Sequence, residues 1–98
     1  MEHTFIIAHE HRALPGHFPG NPIVPGVVLL DEVASALRRL RPGAVLTGMP
    51  NAKFLSPLLP GQACTVHFAP GRAGTIKFEC MVDDRLIASG SFTLREPA

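Results

Sequence analysis

The pattern of apolar and polar positions divides the chain into a short strand, one helix and a run of strands. Thr4 to Ala8 is rich in strand-forming residues and too short for a helix, so we predict a first strand running to about Glu10. From Gly26 to Leu40 apolar residues recur with helical spacing, and Pro42-Gly43 ends that segment. Because Val27 to Val33 is apolar on nearly all sides, the helix is predicted to be buried on most of its surface.

After Gly43 the period changes to two, which predicts strands joined by turns. Residues 44–56 read as one bent strand, or two short ones, around an irregular Gly-Met-Pro-Asn sequence. Three further strands are predicted, and their inward-facing residues are Cys64, Val66 and Phe68, then Ile76, Phe78, Cys80 and Val82, then Leu86, Ala88, Gly90, Phe92 and Leu94. This order predicts an α+β domain in which an antiparallel sheet wraps around one central helix.

The chain length predicts a single domain over residues 1–98, near the size at which one core suffices. Apolar residues make up 46% of the chain and charged residues only 17%, which favours an oligomer in which a partner covers apolar surface. A well-filled monomer core is the alternative. The net charge of +1 and the absence of Trp and Tyr argue against nucleic-acid binding.

The sequence contains neither a charged leader with an apolar run nor a stretch of the roughly 20 apolar residues that a membrane span requires. We therefore expect a soluble, cytoplasmic protein without a membrane partner. Cys64 and Cys80 are far apart in strand-like segments, which predicts buried free thiols rather than a disulfide or a metal site. His3, His9 and His11 share a strand face without a carboxylate or thiolate, and solvated histidines are the better interpretation.

The segment from Pro15 to Pro25 is dense in proline and glycine, which predicts a stiff, ordered loop that carries His17. Asp31 falls on the apolar part of the helix, where a buried carboxylate would need a partner. The alternative is that Asp31 is exposed beside Glu32, and Glu32 is the one of the two that we expect to be solvated.

Gly26 opens the predicted helix, so its N–H and the next ones can hold an oxygen that carries partial negative charge. A base at His17, an acid at Asp31 and this N–H site together are what elimination next to a carbonyl requires. Every junction between a loop and a helix offers such N–H groups, so Gly26 by itself indicates little.

The run from His17 to Val27 (His-Phe-Pro-Gly-Asn-Pro-Ile-Val-Pro-Gly-Val), with an acidic residue at Asp31, closely resembles the signature of the β-hydroxyacyl-acyl-carrier-protein dehydratases of the hot-dog fold. The segment from Lys53 to Gln62 is similar to a later segment of the same family. The short chain is also similar to the dehydratases of aryl-polyene and related polyketide-like pathways.

The resemblance implies a single hot-dog domain that removes water from a 3-hydroxyacyl thioester and needs no metal or cofactor. It implies that His17 is the base, that the N–H of Gly26 holds the thioester oxygen, and that Asp31 comes from the other subunit of a dimer with shared active sites. The candidate walls of an acyl tunnel are Phe18, Val24, Val28 and Phe54, with a core position as an equal alternative for each, and Val27 is expected to bind substrate beside Gly26.

The implied partner is a thioester of acyl-carrier protein or of coenzyme A, and the chain is expected to form a homodimer, a higher oligomer or a hot-dog heterodimer. Arg38, Arg39 and Arg41 at the helix end suit either an acidic carrier protein or the helix dipole. Two other functions stay open at this point: a hot-dog acyl thioesterase, and a non-catalytic acyl-binding or assembly subunit.

Overall fold

The computed structural model describes residues 1–8 and 23–95 and consists of one helix packed on one sheet. The elements are β1 (Glu2–Ile6), α1 (Gly26–Leu40), β2 (Val45–Phe54), β3 (Ala63–Pro70), β4 (Thr75–Val82) and β5 (Arg85–Arg95). The strands form one antiparallel sheet in the order β1-β3-β4-β5-β2, so β1 and β2 are its edges. This arrangement confirms the predicted α+β class with a single helix.

The helix α1 has the predicted bounds but not the predicted burial. It begins after the extended Pro25 and ends where the N–H of Arg41 bonds to the carbonyl of Leu37 at 2.9 Å. Only one face is buried, and its residues are Leu29, Val33, Ala36 and Leu37. The expectation of burial on most sides is wrong for the single chain, because the sheet covers one side of the helix and leaves Val27 77% exposed.

The three inner strands form the floor of the core with the predicted alternation along β3 and β4. The pairing of β4 with β5 is irregular at one point: Cys80 of β4 is paired with Ala88, but the next residue, Met81, is paired with Leu86. One residue of β5 is therefore left over and forms a bulge. The extra residue, Ile87, becomes 1% exposed, whereas Leu86 is only half-buried. The prediction that Leu86 continues the inward face is therefore wrong, and the bulge is the reason.

The two cysteines are buried free thiols, as predicted. Cys64 on β3 and Cys80 on β4 are in hydrogen-bond contact, and this bond together with burial raises the pKa of the Cys80 thiol. The same hydrogen bond lowers the pKa of the Cys64 thiol, but both side chains are fully buried, so the pair serves as core packing.

The edge strand β2 is one strand with irregular pairing, where the sequence predicts one bent strand or two short ones around an irregularity. Its pairing with β5 shifts register between Leu46 and Gly48 and again between Gly48 and Asn51. Most of its side chains are exposed. Within residues 1–8 and 23–95, no helix is long and apolar enough to cross a membrane.

Candidate active site

The segments before α1 and after β2 are fastened to each other and to the sheet by main-chain hydrogen bonds. The N–H of Val24 donates to the carbonyl of Leu58 at 2.8 Å, and the N–H of Leu55 donates to the carbonyl of Ile87 at 2.8 Å. The N–H of Gly61 donates to the carbonyl of Ile7 at 2.9 Å. These bonds hold the start of the helix in a fixed position against the end of β2.

Gly26, the first residue of α1, lies directly against the ring of Phe54. A Cβ atom placed on Gly26 would be 2.8 Å from Cζ of Phe54, closer than side chains pack, so only glycine admits the ring in this position. Phe54 ends β2 and is 54% exposed. The ring therefore lies over the helix start with one side open to a ligand.

The start of α1 has the features of a site for a partly negative oxygen. Pro25 precedes it without a side-chain cap, and its carbonyl accepts the N–H groups of Val28 and Leu29 at 3.0 and 3.1 Å. The N–H groups of Gly26 and Val27 come before these bonds, and groups at that position have no acceptor within a helix. They carry the positive end of the helix dipole.

Beside Gly26 is an apolar cleft with a volume of about 440 Å³. Its deep walls are the buried side chains of Val24, Leu29, Leu58 and Ile87, and Phe54 and Leu55 form its outer rim. Ser56 is the one polar side chain among its described lining residues. An apolar chain fits such a cleft, with a carbonyl group at its mouth near the helix N–H groups.

Asp31 lies elsewhere, in an open groove of about 530 Å³ between the outward face of α1 and β2. Its neighbours in the groove include Val27, Leu30, Ala34 and Leu46, which are apolar, and Arg38. Asp31 is exposed and Glu32 is half-buried. The expectation that Glu32 is the solvated one of the pair is therefore wrong, because the outward face of the helix carries Asp31.

Three of the described residues predicted from sequence lie together, and two others lie apart from them. Val24, Gly26 and Phe54 line the cleft, whereas Val27 and Asp31 line the groove. Val28 is half-buried and packs against the core. His17 and Phe18 lie outside the described residues.

Three of the four deep cleft walls, Leu29, Leu58 and Ile87, were not predicted from the sequence. Leu58 belongs to the segment from Lys53 to Gln62, which is similar to a segment of a known family. That similarity did not identify Leu58 as a wall of the cleft. Ile87 reaches the cleft because of the bulge at Cys80 and Met81, and no local sequence signal marks that bulge.

His67 is on the outer face of the sheet, where its Nδ1 atom lies 3.1 Å from a carboxylate oxygen of Glu2. Residues 1–8 and 23–95 contain no cluster of three metal-ligating side chains.

Comparison with known proteins places these features in a family context. Residues 1–91 match the family model described as ApeI-like, ApeI dehydratase. The chain is 39% identical over 105 residues to the 3-hydroxyacyl-[acyl-carrier-protein] dehydratase FabZ of Protochlamydia amoebophila, which covers 90% of this chain and 68% of that protein. It is 40% identical over 73 residues to the FabZ of Ehrlichia chaffeensis, covering 66% of this chain and 51% of that protein.

Among solved structures, the dehydratase heterocomplex ApeI:P from Xenorhabdus doucetiae is similar with a TM-score of 0.82 and 24% identity, over 95% of this chain and 84% of that chain. This likeness confirms the hot-dog fold. Most of the first curated relatives are matched over about half of their length, so the chain spans only part of what those proteins contain.

Proposed function

The chain belongs to the ApeI-like dehydratase family, and from this premise we propose that it eliminates water from a 3-hydroxyacyl thioester bound to acyl-carrier protein. The product is the trans-2-enoyl thioester, in fatty-acid or polyketide-like biosynthesis. The observation that carries the proposal is the contact of Gly26 with Phe54, which places an uncapped helix start at the mouth of an apolar cleft.

In the proposed mechanism, the acyl chain lies in the cleft and the thioester oxygen faces the N–H of Gly26. His17 removes a proton from the carbon between the thioester carbonyl and the hydroxyl-bearing carbon, and the electron pair passes onto the thioester oxygen. The hydrogen bond from Gly26 stabilises that charge. The carbon–oxygen bond at the hydroxyl then breaks as the double bond forms. A histidine suits this step because its ordinary pKa lies near working pH.

The departing hydroxyl takes a proton from Asp31 of a second copy of the chain and leaves as water. Two observations support a site that is divided between two chains. Asp31 is separated from the cleft within one chain, and the groove around it is apolar and exposed, as surface is before a partner covers it. A homodimer with two shared sites agrees with both observations.

The buried free thiols of Cys64 and Cys80 are typical of a reducing compartment and support a cytoplasmic location.

The experiment that tests the function is a product assay with a matched panel of 3-hydroxyacyl and saturated acyl thioesters. We expect the enoyl thioester from the hydroxyacyl substrates and no free acid. Release of free acid would indicate a thioesterase, and binding without conversion would indicate an acyl-binding subunit. The His17→Ala variant serves as the control, because it should abolish elimination and leave the fold intact.

A further inference from the structure

The irregular pairing between β4 and β5 turns one side chain of the sheet towards the helix. Cys80 is paired with Ala88 and Met81 with Leu86, so Ile87 has no partner of its own on β4. Without the bulge, Ile87 would be paired with Met81 and would share its outer face, because directly paired residues lie on the same face of a sheet. Ile87 is instead buried in the core. Bulges are frequent next to active sites, where they redirect a side chain.

Ile87 forms the floor of the apolar cleft beside Gly26. Val24 and Leu58 belong to the segments that flank the cleft, and Leu29 belongs to α1. Among the buried walls in the described part of the chain, Ile87 is the one that comes from the sheet. Because the helix packs on the sheet, the side chain of Ile87 closes the cleft on the sheet side.

The main chain at Ile87 holds the rim of the cleft as well. Its carbonyl accepts the N–H of Leu55 at 2.8 Å and the N–H of Ser56 at 3.3 Å. The segment that carries the rim is therefore attached to the residue whose side chain forms the floor. A substitution that shortens this side chain leaves both main-chain bonds in place, so it deepens the cleft without detaching the rim.

The floor lies away from the place that the proposed mechanism gives to the thioester. The thioester oxygen is placed at the N–H of Gly26, beside the exposed ring of Phe54. Leu29 follows Gly26 by three residues, so it lies within one helical turn and alongside the first atoms of an acyl group. An acyl chain that enters at the exposed mouth and extends inward ends against the buried side chain of Ile87.

We propose that Ile87 sets the greatest length of acyl group that the cleft accepts. This inference rests on the proposed function, since it takes the cleft as the acyl site. A chain that reaches beyond the floor must either push Ile87 into a close-packed core or leave part of its apolar surface in water, and both are unfavourable. The protein therefore selects acyl groups that end at the floor and discriminates against longer ones.

The test is a series of unbranched 3-hydroxyacyl N-acetylcysteamine thioesters, each longer than the last by one ethylene unit. The wild type is compared with Ile87→Ala and Ile87→Val. The matched controls are Ile76→Ala and Ile76→Val, because Ile76 is also a buried isoleucine of the sheet but is not among the described residues that line the cleft. Thermal unfolding checks the fold, and the valine variants, which lose only one methyl group, provide the test if the alanine variants do not fold.

The measured quantity is kcat/KM for the first chain beyond the wild-type limit, divided by kcat/KM for the chain that the wild type prefers. We expect this ratio to rise at least about tenfold in Ile87→Ala and less in Ile87→Val, because one methylene in an apolar pocket changes kcat/KM by about 10 to 200-fold. The Ile76 variants should keep the wild-type ratio. The proposal is overturned if the Ile87 variants keep the wild-type length profile, if the Ile76 variants shift it equally, or if the wild type shows no length limit.

The proposed function is judged separately. If the wild type forms no enoyl product from any thioester of the series, the proposed function fails whatever Ile87 does. Calorimetric titration with saturated acyl thioesters of the same lengths then tests the floor. An affinity that falls beyond one length in the wild type and beyond a greater length in Ile87→Ala supports the proposal, whereas the same profile in both proteins, or binding to neither, contradicts it.

Discussion

The two sides of helix α1 differ in how far the rest of the chain covers them. On the inner side, the deep walls of the cleft beside Gly26 are buried side chains, and main-chain hydrogen bonds hold the segments that carry them in place. On the outer side, the groove beside Asp31 is open and leaves apolar side chains exposed. Under the proposed function, one chain would supply the place for the acyl group, and Asp31 on the outward face would serve the site of another copy.

Mixing two inactive variants tests whether the two sides of the helix serve different chains. We expect His17→Ala and Asp31→Asn each to lose about 100-fold to 10,000-fold in turnover, the range for a proton-transfer group. A mixed dimer holds one site with both His17 and Asp31 if the sites are shared. An equal mixture should therefore regain roughly a quarter of wild-type activity, because half the dimers are mixed and each has one complete site.

Turnover after refolding the two variants together is the measurement. Each variant refolded alone is the control. If the mixture stays as inactive as its components, His17 and Asp31 serve one another within a single chain, and the groove has a different purpose.

A second prediction contrasts the buried and exposed faces of the helix. Leu29 is 3% exposed and Val27 is 77% exposed. Leu29→Ala should lower the free energy of unfolding by about 2–5 kcal/mol because it leaves a cavity in the core. Val27→Asp should leave the fold of each chain intact but weaken association, because it puts a charge into the surface that a partner covers.

Urea unfolding at several protein concentrations and analytical ultracentrifugation distinguish these effects. A Val27→Asp variant that dimerises like the wild type would show that the outer groove is not the contact surface. A Leu29→Ala variant of unchanged stability would contradict the packing of the inner face.

The third prediction concerns Gly26. In Gly26→Ala the new methyl group displaces the ring of Phe54, and a displacement of about 1 Å at a site can reduce turnover as much as 100-fold. The stability of the protein should change little, because the tip of an exposed ring can move away. Phe54→Leu provides the matched background: Gly26→Ala should have a much smaller effect on turnover there, and an equal effect in both backgrounds would exclude the ring as the cause.

The sequence predicted where helix α1 begins and ends better than it predicted which of its faces is buried. Pro25 and Pro42-Gly43 are local signals that fix the ends of α1, so its bounds at Gly26 and Leu40 could be predicted. The burial of Asp31 and Glu32 depends on which face meets the sheet. An apolar run on nearly all sides does not contain that information, because it also serves contacts with another chain.

In the sheet, too, local features could be predicted from the sequence, whereas features that depend on contacts between elements could not. Alternation predicted the inward faces of β3 and β4, because each strand keeps its own period of two. The bulge between Cys80 and Met81 arises from the pairing of two strands, so Ile87 could not be assigned to the core or to the cleft from β5 alone. In the candidate site, the contact of Phe54 with Gly26 joins residues 28 positions apart, and only the resemblance to a family associated their segments.

The smallest predicted effect is a pH dependence that belongs to the core rather than to either side of the helix. The pKa of Cys80 is raised in the folded protein, whereas an unfolded thiol has a pKa of about 8.5. Above that pH the unfolded chain binds fewer protons than the folded chain, so stability falls as pH rises. The slope for one proton is about 1.4 kcal/mol per pH unit.

Urea unfolding between pH 7 and pH 10 measures this slope, and the double variant Cys64→Ala with Cys80→Ala is the control because it removes both interacting thiols. The wild type should lose more stability than the variant over the alkaline part of the range. Parallel curves would mean that the thiol of Cys80 titrates alike in both states.

The irregular edge strand β2 also limits how copies of the chain can associate. A long, regular edge strand is a template on which other chains can add without limit, and this is one route to aggregation. Pro50 has no N–H to offer to such a chain, and two register shifts interrupt the regular spacing of β2 between Leu46 and Asn51. The opposite edge, β1, has only five residues. Irregularity at the edges thus protects the sheet against indefinite growth, while the apolar groove beside β2 remains available for one specific contact.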